Sequence, residues 1–247
     1  MLLYYITDSR QFSANGAESR ARSLENIAEA ARCGVDLIQL RERHLTASEL
    51  EKLALDAVSE VRKAGTGTKL LINSRTDVAI AAGADGVHLR SDRASELSAS
   101  EARSIFHKAG VTKPMIAVSC HTLDDIYSAE AHGADFAVFG PVFGKAISAS
   151  QDAAAKNLPG VGLEQLRRAS HREAAASSRM PVLALGGVTL ANAQACVDNG
   201  ADGVAAIRLF QPDEMGKLAA IIAALRSLRA AGSKDFNRRH SYLPKSD

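Results

Sequence analysis

Short runs that are apolar at nearly every position alternate along this chain with longer stretches whose apolar residues recur every three or four positions. Four segments repeat one pattern: ARCGVDLIQLR, AAGADGVHLR, AEAHGADFAVFG and CVDNGADGVAAIR. In each, a helix-like stretch closes on Gly, a small or apolar residue and Asp follow, and the chain then enters a short apolar strand. Glycine supplies the left-handed residue that ends a helix. A strand that is apolar at consecutive positions is buried on both faces, the mark of a parallel sheet covered by helices. Between the repeats lie further strand candidates, LLYYIT (2–7), KLLIN (69–73), PMIAVS (114–119) and MPVLALGG (180–187), which brings the total to eight.

The intervening stretches read as helices. In TASELEKLALDAVSEVRKAG, Thr46 is placed to cap and Glu49 follows at capping-box spacing. Leu50, Leu53, Ala54 and Val58 then fall on one face. Alternating strand and helix units across residues 1–230 predict a single-domain α/β fold, a (β/α)8 TIM barrel. A doubly wound open sheet is the rival, and the lack of a GxGxxG turn after any strand argues against it. Residues 231–247 are polar without an apolar period and are expected to be a disordered tail. The long stretch from Gly140 to Gly162 is rich in Gly, Ala and Ser, a composition that suits a lid.

Composition narrows the function classes. With 247 residues, 46% of them hydrophobic, the chain can bury one large core. A net charge of +2 creates no strong global field, so neither a nucleic-acid nor a membrane partner is expected. Cys33, Cys120 and Cys196 form no metal-type spacing and do not pair evenly, which fits a reducing cytoplasm. No apolar stretch approaches membrane-spanning length, and the N-terminal segment lacks a charged region before its apolar run, so a soluble cytoplasmic protein is expected. Self-association into a homo-oligomer is left open.

In barrels of this kind the active site forms at the C-terminal ends of the strands. Gln39, Arg41 and Arg43 lie there after strand two, Asn73 and Ser74 after strand three, His88 and Arg90 at strand four, and Ser119, Cys120 and His121 at strand five. Lys145, Gly186, Gly187, Ile207 and Arg208 complete the set. A mouth of arginines, amides, hydroxyls and glycines suits a small anionic ligand. Gly186 and Gly187 can let backbone N–H groups approach phosphate or can simply make a tight turn. Arg41 and Arg43 share parity if the strand runs that far, and a salt bridge from one of them to Glu42 or to a neighbouring strand's carboxylate is the plainer alternative. Adjacent side chains on a strand point apart, so Cys120 and His121 do not form a couple. Cys120 is expected to pack under the helices, while Ser119 and His121 share the mouth side, with His121 as the acid/base candidate. His88 is expected to be a packed, hydrogen-bonded residue of the barrel interior.

Taken in order, YYITD, LIQLRER, LLINSRTDVAIAAGADGVHL, AVSCHTLDD, DFAVFGPVF, VLALGGVTLAN and GADGVAAI resemble the superfamily of thiamine phosphate synthases and thiazole tautomerases. The resemblance implies a thiazole phosphate ligand, with Gly187, Ile207 and Arg208 at its phosphate and Gln39, Arg41, Arg43, Asn73 and Ser119 lining the pocket. It also exposes departures. Synthases of this type end strand three in Asn-Asp and follow GVHL with Gly-Gln-x-Asp, the two aspartates holding Mg²⁺; here Ser74 and Arg93 stand at those places, with Asp92 one position early. The synthase lysine after QLRE is Arg43, and the Thr-x-Thr-Lys of the sixth loop is replaced around Lys145. These losses favour a metal-independent thiazole tautomerase, an isomerase that aromatises a carboxythiazole phosphate with His121 moving the proton, with no cofactor and no metal ligand. The alternatives are a divergent thiamine phosphate synthase, a transferase joining hydroxymethylpyrimidine diphosphate to thiazole phosphate with Mg²⁺, and a non-catalytic thiazole-phosphate-binding protein.

Overall fold

Each apolar run becomes a strand, and the order of the strands around the sheet is their order along the chain. The computed structural model describes residues 1–13, 15–91, 97–144, 160–172, 179–214 and 216–228. Its strands are β1 (Leu2–Ile6), β2 (Leu37–Leu40), β3 (Lys69–Asn73), β4 (Gly86–Leu89), β5 (Met115–Cys120), β6 (Phe136–Phe139), β7 (Val182–Leu185) and β8 (Gly203–Ala206). They pair in parallel from β1 round to β8, and β8 closes on β1 through Leu2↔Gly203 to Tyr5↔Ala206. A helix follows each strand: α1 (Gly16–Arg32), α2 (Ala47–Ala64), α3 (Thr76–Ala81), α4 (Ala99–Lys108), α5 (Leu123–Ala131), α6 (Gly162–Ser170), α7 (Ala193–Asp198) and α8 (Lys217–Ser227). The (β/α)8 barrel expected from the alternation is therefore the fold. The expected tail lies outside the described residues, as does most of the stretch between Gly140 and Gly162.

Strand alternation sorts the apolar residues into two sets. Tyr4, Leu37, Leu71, Met115, Ala117, Phe136, Val138, Leu183 and Ala205 fill the interior of the barrel. Tyr5, Ile38, Ile72, Val87, Val118, Phe139 and Val204 face outward and pack under the helices, with Leu50, Leu53 and Ala54 of α2 among their cover. Thr46 and Glu49 form the expected capping box at the start of α2.

The recurring Asp has a structural task. Asp36, Asp85, Asp135 and Asp202 each stand just before an even-numbered strand, and each carboxylate accepts the backbone N–H of the preceding odd-numbered strand. The donors are Leu3 (2.7 Å), Leu70 (2.8 Å), Ile116 (2.6 Å) and Val182 (2.9 Å). An arginine closes each clasp: Arg226, Arg62, Arg103 and Arg179 respectively. The clasps satisfy N–H groups at the strand starts and join the strands pairwise at the end of the barrel away from the mouth. No helix among the described residues is long and apolar enough to cross a membrane.

Candidate active site

The inward parity of β1, β2, β4 and β5 brings four polar side chains together inside the barrel. Tyr4 is fully buried, and its hydroxyl lies 2.9 Å from Nδ1 of His88. Nε2 of the same imidazole lies 2.8 Å from Oγ of Ser119. Gln39, also buried, directs Nε2 toward the Tyr4 hydroxyl at 3.4 Å, a long and weak contact. The Tyr4 and His88 rings stack with centroids 5.7 Å apart, and Phe136 meets Tyr4 edge-on at 5.4 Å. Burial holds the His88 imidazole down to about 3, with the nearby Arg41 charge adding to the effect. Burial also pushes the Tyr4 phenol well above its ordinary value, against a smaller opposing effect of Gln39. At neutral pH the tyrosine is protonated and the histidine uncharged. The expectation of a packed, hydrogen-bonded His88 holds, whereas the part of Tyr4 was missed: within LLYYIT it reads as one more core aromatic.

His121 takes a different position. It lies past the end of β5, exposed, and Nδ1–H donates to the carbonyl of Gly140 at the end of β6. Asp125 accepts the backbone N–H groups of His121 and Thr122, which pins the start of α5. The strand ends at Cys120, so alternation does not fix the side of His121, and the partner of Ser119 is His88. Cys120 is buried in the outer layer as expected, and burial raises its thiol to about 12.

The arginines of β2 differ from the expectation. The strand stops at Leu40, and the chain turns over Glu42–Leu45, so alternation does not extend to Arg43. Glu42 is drawn away from both arginines: its carboxylate accepts from the Thr7 hydroxyl (2.6 Å) and from the Ser9 hydroxyl (2.6 Å) and backbone N–H (3.1 Å). The salt bridge weighed for Arg41 or Arg43 is absent among the described residues, because the β1 loop offers Glu42 neutral donors that satisfy it in place. Arg41 is half-buried, and its guanidinium is lowered by desolvation and by Arg43, with Asp8 and Glu42 opposing and Arg90 adding to the lowering. Desolvation of a cation beside like charges is the kind of cost that a bound anion would offset.

Asn73 extends the inward row of β3 above Leu71. Ser74 follows in the left-handed region at φ 57°, and its buried Oγ has no hydrogen-bond partner among the described residues. Across the barrel, Gly186 and Gly187 have φ of 96° and 65°. A Cβ on Gly186 would come within 2.5 Å of Pro141, and one on Gly187 within 2.8 Å of Phe143, so loop packing alone requires both glycines. No protein acceptor among the described residues meets the Gly187 N–H. Ile207 leads into a 3-10 turn, Arg208–Phe210, that places Arg208 at the exposed rim. Lys145, Asp92 and Arg93 lie outside the described residues.

The family model described as thiamine monophosphate synthase matches residues 3–210. A putative thiamine-phosphate synthase of Geobacter sulfurreducens is 38% identical over 228 residues, 90% of this chain and 93% of that protein. A thiamine-phosphate synthase of Chloroflexus aurantiacus is 33% identical over 233 residues, 93% of this chain and 95% of that protein. Among solved structures, thiamine phosphate pyrophosphorylase from Pyrococcus furiosus superposes with a TM-score of 0.68 at 26% identity, covering 92% of this chain and 94% of its own. These likenesses overturn the expectation of a thiazole tautomerase, an isomerase using His121: the relatives are named for synthesis and support the transferase alternative. The physical reason for the error is that lost metal carboxylates bear on how a departing charge is neutralised, not on which bond is made.

Proposed function

Because this chain belongs to the thiamine monophosphate synthase family, we propose that it is a transferase joining hydroxymethylpyrimidine diphosphate to thiazole phosphate. The ring nitrogen of the thiazole donates its electron pair to the exocyclic methylene carbon of the pyrimidine. The carbon–oxygen bond to diphosphate breaks, its electron pair leaves with the diphosphate, and no oxidation or reduction occurs. The observation that carries this reading is the likeness to named synthases across nine-tenths of the chain, together with a mouth that keeps Gln39, Arg41, Asn73 and Ser119 in one cluster of strand ends.

In this reading Arg41 and Arg43 hold the diphosphate and stabilise the charge that develops as it departs. Ser119, Asn73 and Gln39 face the heteroaromatic ring that enters the barrel. Gly187, Ile207 and Arg208 hold the phosphate of the thiazole, where the Gly187 N–H supplies a donor. His121 forms part of the rim through its bond to Gly140.

The family resemblance brings Mg²⁺ with it, and Mg²⁺ takes carboxylate oxygens. The described residues do not fit such a site: Ser74 stands where one carboxylate is sought, Arg90 follows β4, and no group of three or more His, Cys, Asp or Glu suited to a metal ion occurs among them. The neutralisation of the leaving group is therefore assigned to the arginines. The test is to incubate the protein with both substrates, with Mg²⁺ and with a chelator, and to measure thiamine phosphate and inorganic diphosphate. Equimolar formation of the two products supports the reading. Binding of thiazole phosphate without product in either condition would overturn it in favour of a binding role.

A further inference from the structure

The buried chain of hydrogen bonds has a direction. The His88 imidazole is neutral in the folded protein, so one ring nitrogen donates and the other accepts. The Tyr4 hydroxyl sits in the closed interior with two contacts, Gln39 Nε2 and His88 Nδ1. Gln39 Nε2 can only donate, so the one acceptor open to the tyrosine proton is Nδ1. The imidazole proton then lies on Nε2 and donates to Ser119 Oγ. A serine oxygen that accepts from His88 turns its own proton away from the histidine. Ser119 is half-buried at the end of β5, the side of the barrel where the mouth opens.

We propose that Tyr4 and His88 are positioning residues that hold the Ser119 hydroxyl as an oriented hydrogen-bond donor to an unprotonated ring nitrogen of the bound pyrimidine. The proposal rests on the synthase reading for the identity of that ring. A lone serine hydroxyl is a free rotor, and a ligand must orient it on binding; here the bond accepted from His88 removes the orientation toward the histidine in advance. The stack of Tyr4 on His88, braced by Phe136, keeps the imidazole plane from turning and breaking the chain. A proton relay is the competing role for such a chain, but relay through it would create a buried tyrosinate or imidazolium, and the interior disfavours both charges. The chain sets orientation.

Three measurements test this. Nitrogen-15 shifts of the labelled imidazoles should show His88 neutral with its proton on Nε2 from pH 8 to pH 5; a proton on Nδ1 would reverse the chain and overturn the proposal whatever the protein catalyses. Tyr4→Phe, which keeps the ring and the stack, should lower kcat about three- to tenfold with little change in KM. In a Ser119→Ala background the same substitution should have no further effect, because its action passes through Ser119. Full, independent losses in the double variant would sink the proposal. His88→Gln, whose amide N–H can replace Nε2–H, should retain more activity than His88→Leu. Should the wild-type protein form no product, the synthase reading fails separately. The same double-variant cycle is then read from the affinity for hydroxymethylpyrimidine diphosphate by calorimetry, where absent coupling between Tyr4 and Ser119 overturns the proposal and coupling supports it.

Discussion

His88 couples the site to stability through its proton. In the unfolded chain its imidazole takes a proton near pH 6.5, whereas in the folded protein burial, with Arg41 nearby, holds it to about 3. Between those values the unfolded state binds the extra proton, so this contribution is complete above pH 6.5 and is lost as pH falls toward 3. The slope is about 1.4 kcal/mol per pH unit, so lowering pH from 7 to 5 should cost about 2 kcal/mol. Urea unfolding of the wild type and of His88→Gln at the two pH values isolates the effect; an equal loss in both proteins would refute it. Ser74 offers a second residue-scale prediction. Its φ of 57° lies in a region that Asp tolerates better than most residues, and its Oγ already points into a buried space without a partner. Ser74→Asp should therefore fold and introduce a rate increase on adding Mg²⁺ that the wild type lacks, as read from a metal titration of the synthase assay. Parity along β5 was enough to separate Cys120 from His121 in the sequence. The partner of Ser119 was not legible, because Tyr4, His88 and Ser119 come from three strands whose inward residues meet only when the sheet closes.

At the scale of elements, the sequence displayed a repeated Gly, small residue and Asp before alternate strands; four strands followed from it and four from the apolar runs between, with boundaries close to those observed. The repeat did not disclose its reason. The carboxylate clasps require the N–H of one strand, the Asp before the next and an arginine from a helix or loop, which in the case of Asp36 and Arg226 are separated by 190 residues. The same limitation explains Glu42: in LIQLRER it reads as a partner for its flanking arginines, and only the path of the β1 loop shows that Thr7 and Ser9 claim it. Removing one clasp should be costly in proportion to the buried donor it strands. Asp85→Ala leaves the Leu70 N–H without its 2.8 Å acceptor and frees Arg62, for an expected loss of about 2 kcal/mol. Asp85→Asn, which retains a carbonyl oxygen at that place, should lose about half as much. Chemical denaturation of the two variants decides this, and identical losses would mean that charge rather than the hydrogen bond holds the strands.

The whole molecule divides these tasks between its two ends. Carboxylates and arginines are matched in clasps at the strand starts, whereas at the mouth Arg41 is desolvated beside Arg43 and Arg90, and the nearby Glu42 is engaged elsewhere. Charges matched at one end stabilise the barrel; at the other, the half-buried Arg41 carries a desolvation cost that a bound anion would offset. Arg41→Gln removes a half-buried cation from that cluster while keeping hydrogen-bonding capacity and similar reach. The expected outcome has opposite signs for stability and function: thermal unfolding rises by about 1–3 °C, while product formation falls sharply. Inorganic diphosphate supplies the discriminating arm. It should raise the unfolding temperature of the wild type, because a ligand that binds only the folded state stabilises it by mass action, and it should raise that of Arg41→Gln much less. Asp85→Asn, at the far end, should lower the unfolding temperature while leaving the diphosphate-induced rise intact. A variant of Arg41 that melts lower than the wild type and still responds fully to diphosphate would show that this guanidinium belongs to the scaffold rather than to the anion site.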